Sequence, residues 1–593
     1  MNQLGLTRTG NIAVGAYITA SDIGFSDSRE DLTRILQTLN SEKTLIILAG
    51  INCLIQHSKN FSLTHAAFQE AFCSPILLNQ IDYKNPAGSL IFGRQPTLRL
   101  LMEVACLFDV DSRSDMNQTK VKNELAISYL IVNGLSDEKE SGSQNDLETD
   151  GENEQAALKR DVLVDFIPLS EYGIRPLASR STSEFLVRTY ELLCRLEKTD
   201  LNIDVNDIFY QATGLTLRNY YHLIALVVLK YLNLSLEAIL EGAESLFIDL
   251  KSSPDLKPLY DKLLPHTCIS VNTLASETEK SASLKNEFRL WRQYPLVEIS
   301  EDRIICVDIS FLLDKLQTGM FWIIRNQLEK RKKGDGQKII SLWGNVFEDY
   351  AASIIKRGIN SQTPSMEKCI FNPKYMGKSE NECTDVAVCG DDTLILLECK
   401  APLLTAAVKF GGDFGKLRRE LQTKLVETGT ERGKTKIKGI GQLWDAIQTL
   451  GHTDRKKRRR VEGVDISKVK KIYPVLVLSD SVFGSPCLNW FLNSEFQRFV
   501  KYNALKKHLT IMPLTVLTVE HLEELEPWLN ESPFYRHLDR WLEQFNQNDV
   551  RGFGDYTYSL HEHTPRENLF MSQQFDRIKD EAYEYLSSLE VDS

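Results

Sequence analysis

From the N-terminus to about residue 330, apolar residues recur three or four positions apart. They do so in Asp31 to Leu39, Leu98 to Leu107, Phe185 to Leu196, Tyr220 to Leu232 and Leu236 to Ile248. Such spacing puts one apolar stripe on each segment and predicts a mainly α-helical region. Ser183, ahead of Glu184-Phe-Leu-Val, suits a helix N-cap. The period then changes. Tyr294-Pro-Leu-Val-Glu-Ile and Glu301-Asp-Arg-Ile-Ile-Cys-Val predict a β-hairpin turning at residues 300–302, with a long helix from Ser310 to Lys330 behind it.

A second pattern begins near residue 341. Val346, Phe347, Tyr350, Ala351 and Ile354 mark an amphipathic helix, with Glu348 on the flank of its apolar stripe. A short strand is expected near Cys369 to Asn372, and another opens at Asp385. After a turn at Gly390-Asp391-Asp392, a third strand runs through Thr393-Leu-Ile-Leu-Leu into Glu398-Cys399-Lys400. A basic helical region is predicted from about Asp413 to Leu450. A buried strand at Ile472-Tyr-Pro-Val-Leu-Val-Leu, a helix from Leu488 to Val500 and a strand over 511–519 follow.

A chain of 593 residues exceeds one core. The expected divisions are a helical domain over 1–135, an acidic linker over 136–158 and a second helical domain over 159–290. A hairpin-and-helix connector over 291–340, a domain over 341–530 and a helical extension over 531–593 complete the chain. The linker assignment rests on SDEKESGSQNDLETDGENEQ, residues 136–155, whose eight acids and single lysine leave too little apolar surface to order it. The eleven cysteines form no C-x-x-C pair, so neither a zinc module nor a disulfide framework is indicated. No G-x-x-x-x-G-K-[ST] loop suggests an ATP motor. No long uncharged apolar run suggests a membrane span, and MNQLGLTRTG lacks the apolar core of a secretory signal. A cytoplasmic protein is the expectation.

The candidate chemistry lies in TDVAVCGDDTLILLECK, residues 384–400. Alternate side chains of a strand share a face, so Glu398 and Lys400 project together while Cys399 points away. An acid from a neighbouring strand, Asp385, would complete a pair of carboxylates able to hold Mg²⁺ against a phosphodiester. The lysine would orient water or stabilise charge on phosphate.

The spacing Asp385…Glu398-x-Lys400, set in a helix–three strands–helix–strand order, resembles the PD-(D/E)xK nuclease superfamily over roughly residues 343–528. The resemblance implies a restriction-endonuclease-like α/β core, a mixed sheet flanked by helices, with the mainly helical region appended at its N-terminal side. It implies Asp385 and Glu398 as metal ligands, the Cys399 backbone carbonyl as a further ligand and Lys400 as catalytic lysine. Glu348 would be the acid of the first core helix, and Gln442 the glutamine of the helix after the E-x-K strand. Thr384 stands where the pattern has proline, and Ala446 where a tyrosine often follows the glutamine.

Charge bears on the substrate. The chain carries a formal net charge of −11, yet Lys400 to Lys471 holds 19 Lys/Arg against 8 Asp/Glu. Phosphate backbones are bound by such patches through counterion release. Lys409, Lys416, Arg418, Arg419 and Lys424 are the nearest candidates. The basic run at 455–460 reads either as a solvated loop or as part of that surface. The expectation is a Mg²⁺-dependent nuclease, with Mn²⁺ able to substitute, acting on DNA ahead of RNA. Its helical region would hold a protein partner or a second copy, and by family analogy it would serve an anti-phage or restriction-type defence. The rival is a catalytically silent nuclease fold that binds nucleic acid or scaffolds a complex.

Overall fold

A computed structural model describes residues 17–591 except 59–60, 85–89, 110–117, 136–153, 171–181, 200–202, 253, 281–285, 363–365, 377–380, 432–433, 455, 457, 502–504, 506–508, 545–549 and 564. The architecture is mixed α/β, rich in helix, with a four-stranded and a six-stranded sheet flanked by helices. The chain forms two compact units. One comprises residues 1–145, 172–339 and 573–593, and the other residues 146–171 and 340–572.

The first unit is helical in four of the five predicted segments, as Arg29–Thr38, Arg94–Cys106, Thr182–Glu197 and Leu217–Tyr231, whereas the fifth is helical only over Leu236–Glu241 and its end enters the strand Phe247–Asp249. The expected hairpin is present as Leu296–Ser300 against Arg303–Cys306, with Asp302 at φ 65° in its turn. Two three-residue strands, Phe247–Asp249 and Cys268–Ser270, extend it into a sheet. The expected helix from Ser310 appears as Ile309–Asp314 and Met320–Arg331, joined by a π-helical turn.

A buried polar knot ties this unit together. Asp308 is fully buried and is gripped by Arg94, Nε to Oδ2 at 2.9 Å and Nη2 to Oδ1 at 2.8 Å. Asn52 Nδ2 and Gln56 Nε2 also donate to Asp308 Oδ2, each at 2.9 Å. The Phe311 amide donates to Oδ1, so the same carboxylate caps the helix Ile309–Asp314. Losing one partner of such a buried ion pair is costly because the other charge stays buried alone.

The second unit is built on a mixed sheet. Thr393–Lys400 lies at its centre, antiparallel to Val386–Cys389 and parallel to Lys471–Leu478. Lys368–Phe371 closes one edge, antiparallel to Val386–Cys389. The expected strand over 511–519 is two pieces, Thr510–Ile511 and Thr515–Thr518, both parallel to Lys471–Leu478. Pro513, which has no N–H to give a ladder, lies in the gap. Leu394 and Leu396 face a core with Leu443, Ile447, Leu488 and Leu492 from the helices Ile440–Gly451 and Leu488–Val500.

Two expectations are corrected here. The helical region from Asp413 to Leu450 is interrupted: the helix Phe414–Leu421 gives way to the strands Glu427–Glu431 and Lys434–Ile437. In Glu427-Thr-Gly-Thr the β-branched threonines favour a strand and the glycine disfavours continuing the helix. The helix Glu154–Ser170 straddles the expected linker at 136–158 and the second helical domain. It belongs to the second unit, where Leu163 and Ile167 join the core. The rest of the acidic segment, 136–153, lies outside the described residues.

Arg94→Met is expected to destabilise the first unit by about 3–5 kcal/mol in urea unfolding, since Asp308 would stay buried without its cation. A second effect is pH-dependent. Burial pulls the His65 imidazole down to about 4, and its Nε2 accepts the Ile91 amide at 2.9 Å. The folded state therefore binds fewer protons than the unfolded one below the ordinary histidine value, and stability falls as pH drops through the window from about 6.5 to about 4. Between pH 7 and pH 5 this group should remove about 2 kcal/mol. His65→Gln should lose that much less than wild type over the same interval, and an identical loss would refute the assignment.

Candidate active site

Backbone pairing between Val386–Cys389 and the central strand ends at Val386↔Leu397. Two side chains take over from the backbone at that point. Thr384 Oγ1 donates to the Leu397 carbonyl at 2.6 Å, and the Cys399 amide donates to Asp385 Oδ2 at 2.6 Å. Asp385 is thus fixed beside the end of the central strand. The N–H and C=O of one strand residue leave the same edge. The Cys399 carbonyl therefore faces the Asp385 side, whereas the Lys400 carbonyl accepts from the Ser479 amide at 3.2 Å on the other edge.

Glu398 and Lys400 project from the face that Leu394 and Leu396 line further back. Lys400 Nζ lies 2.6 Å from Glu398 Oε1, 3.5 Å from Asp385 Oδ2 and 3.8 Å from Glu348 Oε1. Glu348 is delivered by the helix Gly336–Asn360. The expected acids and the expected lysine are therefore brought together. The Glu398 side chain is 1% exposed and that of Lys400 20%.

Three carboxylates converge on one ammonium, an excess of two negative charges if all are ionised. Burial, reinforced by Asp385, pushes Glu398 up to about 8 and Glu348 up to about 7. Asp385 is also raised, by burial, against the pull of Lys400 and the Cys399 amide. Burial alone would lower Lys400, but Glu398 and Asp385 outweigh it and hold the ammonium protonated. Among the described residues no three Asp, Glu, His or Cys side chains are already arranged as a metal cage. The lysine ammonium lies among the acids instead. Their hard oxygens and the outward Cys399 carbonyl are nevertheless the donor types that Mg²⁺ and Mn²⁺ take, and the uncompensated charge is what a divalent cation would balance.

Compared with protein-family models, curated proteins and solved structures, the chain matches none. Its function has to be read from its own residues.

The other expected residues have local partners. Gln442 Oε1 accepts the Gly439 amide at 2.8 Å and so caps the start of its own helix. Lys409 pairs with Asp480 at 3.4 Å and is only 11% exposed. Lys424 is held by Glu420 at 2.7 Å and by the Leu403 carbonyl. Arg418 lies 3.9 Å from Glu495, Lys416 3.2 Å from Asp413, and Arg419 Nε donates to the Gly415 carbonyl at 3.1 Å. These cations already have partners. Of them Lys416, 59% exposed, is the most accessible of the ion-paired ones.

The roles of two residues escaped the sequence reading. Thr384 is buried and its hydroxyl also approaches Glu398 Oε2 at 3.4 Å. A threonine in the proline position was the available signal. Glu382 adds a fourth carboxylate: burial and Asp385 raise it, while Lys400 and Lys374 pull it down. Thr384→Val keeps the shape but removes the donor to Leu397. It should cost about 1–2 kcal/mol in urea unfolding of the second unit, and no change in midpoint would contradict that role.

Proposed function

We propose that the protein is a divalent-metal-dependent nuclease of the PD-(D/E)xK type, cutting phosphodiester bonds in DNA ahead of RNA. The second unit would then be a restriction-endonuclease-like core. One observation carries the reading: Asp385, Glu398 and Glu348 meet the Lys400 ammonium at the end of the central strand. The antiparallel strands before Lys400 and the parallel strand Lys471–Leu478 after it also agree with such a core.

Asp385, Glu398 and the Cys399 carbonyl would hold the ion, with Glu348 at its flank. A bound divalent ion supplies Lewis acidity, polarising the phosphate and making its water more acidic. Lys400, kept protonated by its carboxylates, serves as a cation and hydrogen-bond donor. It would orient the attacking water and offset charge growing on the phosphate. Thr384 and the Cys399 amide hold Glu398 and Asp385 in place. The surrounding apolar faces keep bulk water from the acids and strengthen each charge interaction.

Plasmid, linear and single-stranded DNA should be cut in Mg²⁺ or Mn²⁺ and left intact in EDTA. Asp385→Asn, Glu398→Gln and Lys400→Met should each lower the rate roughly a hundredfold or more. A binding readout stands apart from activity. Mg²⁺ should raise the melting temperature of wild type, because it binds the folded state alone, and this rise should vanish in Asp385→Asn. Metal-dependent cutting undiminished in all three variants would refute the site. A wild type that binds DNA yet cuts none would favour the silent scaffold.

A further inference from the structure

The described part of the basic run at 455–460 is solvent-exposed but anchored by its backbone and by Arg458. Arg458 Nε and Nη2 donate to the His452 carbonyl at 3.1 and 2.9 Å, closing the helix Ile440–Gly451. Beyond it the chain pairs in strand fashion with the loop that leads to Asp385. The Met376 amide donates to the Arg460 carbonyl at 2.8 Å and the Glu462 amide to the Lys374 carbonyl at 3.2 Å, with Val461 opposite Tyr375. Gly463, at φ 76°, turns this segment against Ile370, and a Cβ there would lie 2.9 Å from Ile370 Cδ1.

On its other side the same loop bridges back to the acids. Lys374 pairs with Glu382, the Cys383 amide donates to the Pro373 carbonyl at 2.8 Å, and the Asn372 amide donates to the Asp385 carbonyl at 2.9 Å. A continuous backbone platform therefore runs from Arg460 through Lys374 to Asp385. Arg459 and Arg460 are exposed on it, as is Lys456. The Arg459 guanidinium lies 5.5 Å from the Tyr375 ring centroid, which fixes its direction. Met376, 61% exposed, lies beside Arg460, whose carbonyl its amide meets.

We infer that Lys374, Lys456, Arg459 and Arg460 form the strip that holds a nucleic-acid phosphate backbone beside the acid cluster. The inference rests on the nuclease reading only in its choice of polyanion. The acids around the strip are Asp445, which Arg459 partly neutralises, Asp454, whose Oδ1 accepts the Lys456 amide, Glu462 and Glu382. The Arg460 and Lys456 side chains make no ion pair among the described residues, unlike Lys409, Arg418 and Lys424. The exposed methionine beside them suits contact with unstacked or splayed bases.

The test is fluorescence anisotropy with short labelled duplex and single-stranded DNA in EDTA, over a series of KCl concentrations. Binding is then read without cleavage. The double variant Lys456→Gln/Arg460→Gln should bind about tenfold more weakly, and its log–log salt slope should fall by about 2. Lys280→Gln, an exposed lysine of the first unit, should bind like wild type. Arg460→Gln alone should fall between the two, and all variants should keep the wild-type melting temperature. Affinity and slope unchanged in the folded double variant would overturn the strip. Competition by polyglutamate as effective as competition by unlabelled DNA would overturn it in favour of an acidic protein partner. Strip-dependent binding by a wild type that never cuts in Mg²⁺ would refute the nuclease reading and leave the strip standing. Cutting by an enzyme whose affinity ignores the strip would do the reverse.

Discussion

The central strand of the second unit is hydrogen-bonded on both edges and packed on both faces, and the candidate site follows from where that arrangement stops. From Leu394 to Leu397 every side chain is buried, and the ladders to Val386–Cys389 and Lys471–Leu478 satisfy the backbone. On the Lys471–Leu478 side pairing continues to Lys400, but on the other side it ends at Leu397. Buried backbone groups left by a short neighbour must find other partners. Thr384 and Asp385 supply them, with a hydroxyl for the Leu397 carbonyl and a carboxylate for the Cys399 amide. Asp385 is therefore a strand-end cap as well as a candidate ligand. The same shortfall of one strand places it next to Glu398 and Lys400.

That placement creates an electrostatic problem that the protein leaves partly unsolved. Lys400 cannot neutralise Glu398, Asp385 and Glu348 together, and little water reaches Glu398 to screen them. Two responses are open to such a cluster: some acids retain protons, or a cation enters. The upward shifts of Glu398 and Glu348 express the first. The second is the chemistry proposed here. A core built for stability alone would sooner bury apolar groups than unbalanced charge, so the retained acids are best explained by work done at that strand end.

The central three residues were legible because strand periodicity and a Gly-Asp-Asp turn are local signals. Asp385, Glu398 and Lys400 need only that hairpin to meet. Glu348 required one further step, a helix whose apolar stripe fixes its facing. The partners of the basic candidates were hidden for the opposite reason. Lysine and arginine side chains are long, and their partners are set by tertiary proximity: Lys409 meets Asp480, 71 positions away, and Arg418 meets Glu495. Nothing local announces such pairs. The packing of Arg459 on Tyr375 was equally hidden, since it depends on strand-like pairing across more than eighty residues. The three-residue strands Phe247–Asp249 and Cys268–Ser270 were too short to show a period.

The helix Glu154–Ser170 changes what counts as the unit that carries the acid cluster. Leu163 and Ile167 are buried in the same core as Leu417, Leu421, Phe483 and Phe491. Arg160 lies over the Phe414 ring at 5.4 Å and Lys159 over Trp490 at 5.3 Å. This helix is separated from residue 340 by some 170 positions of the first unit, so the second unit is discontinuous in sequence. A fragment beginning at residue 341 would expose the surface that Leu163 and Ile167 cover. Each buried leucine or isoleucine lost from a core costs about 2–5 kcal/mol even when only truncated to alanine. The helix Phe414–Leu421, which carries Lys416, Arg418 and Arg419, would lose its packing partner first. Neither unit can therefore be excised by one cut, and the acid cluster is best studied in the full chain.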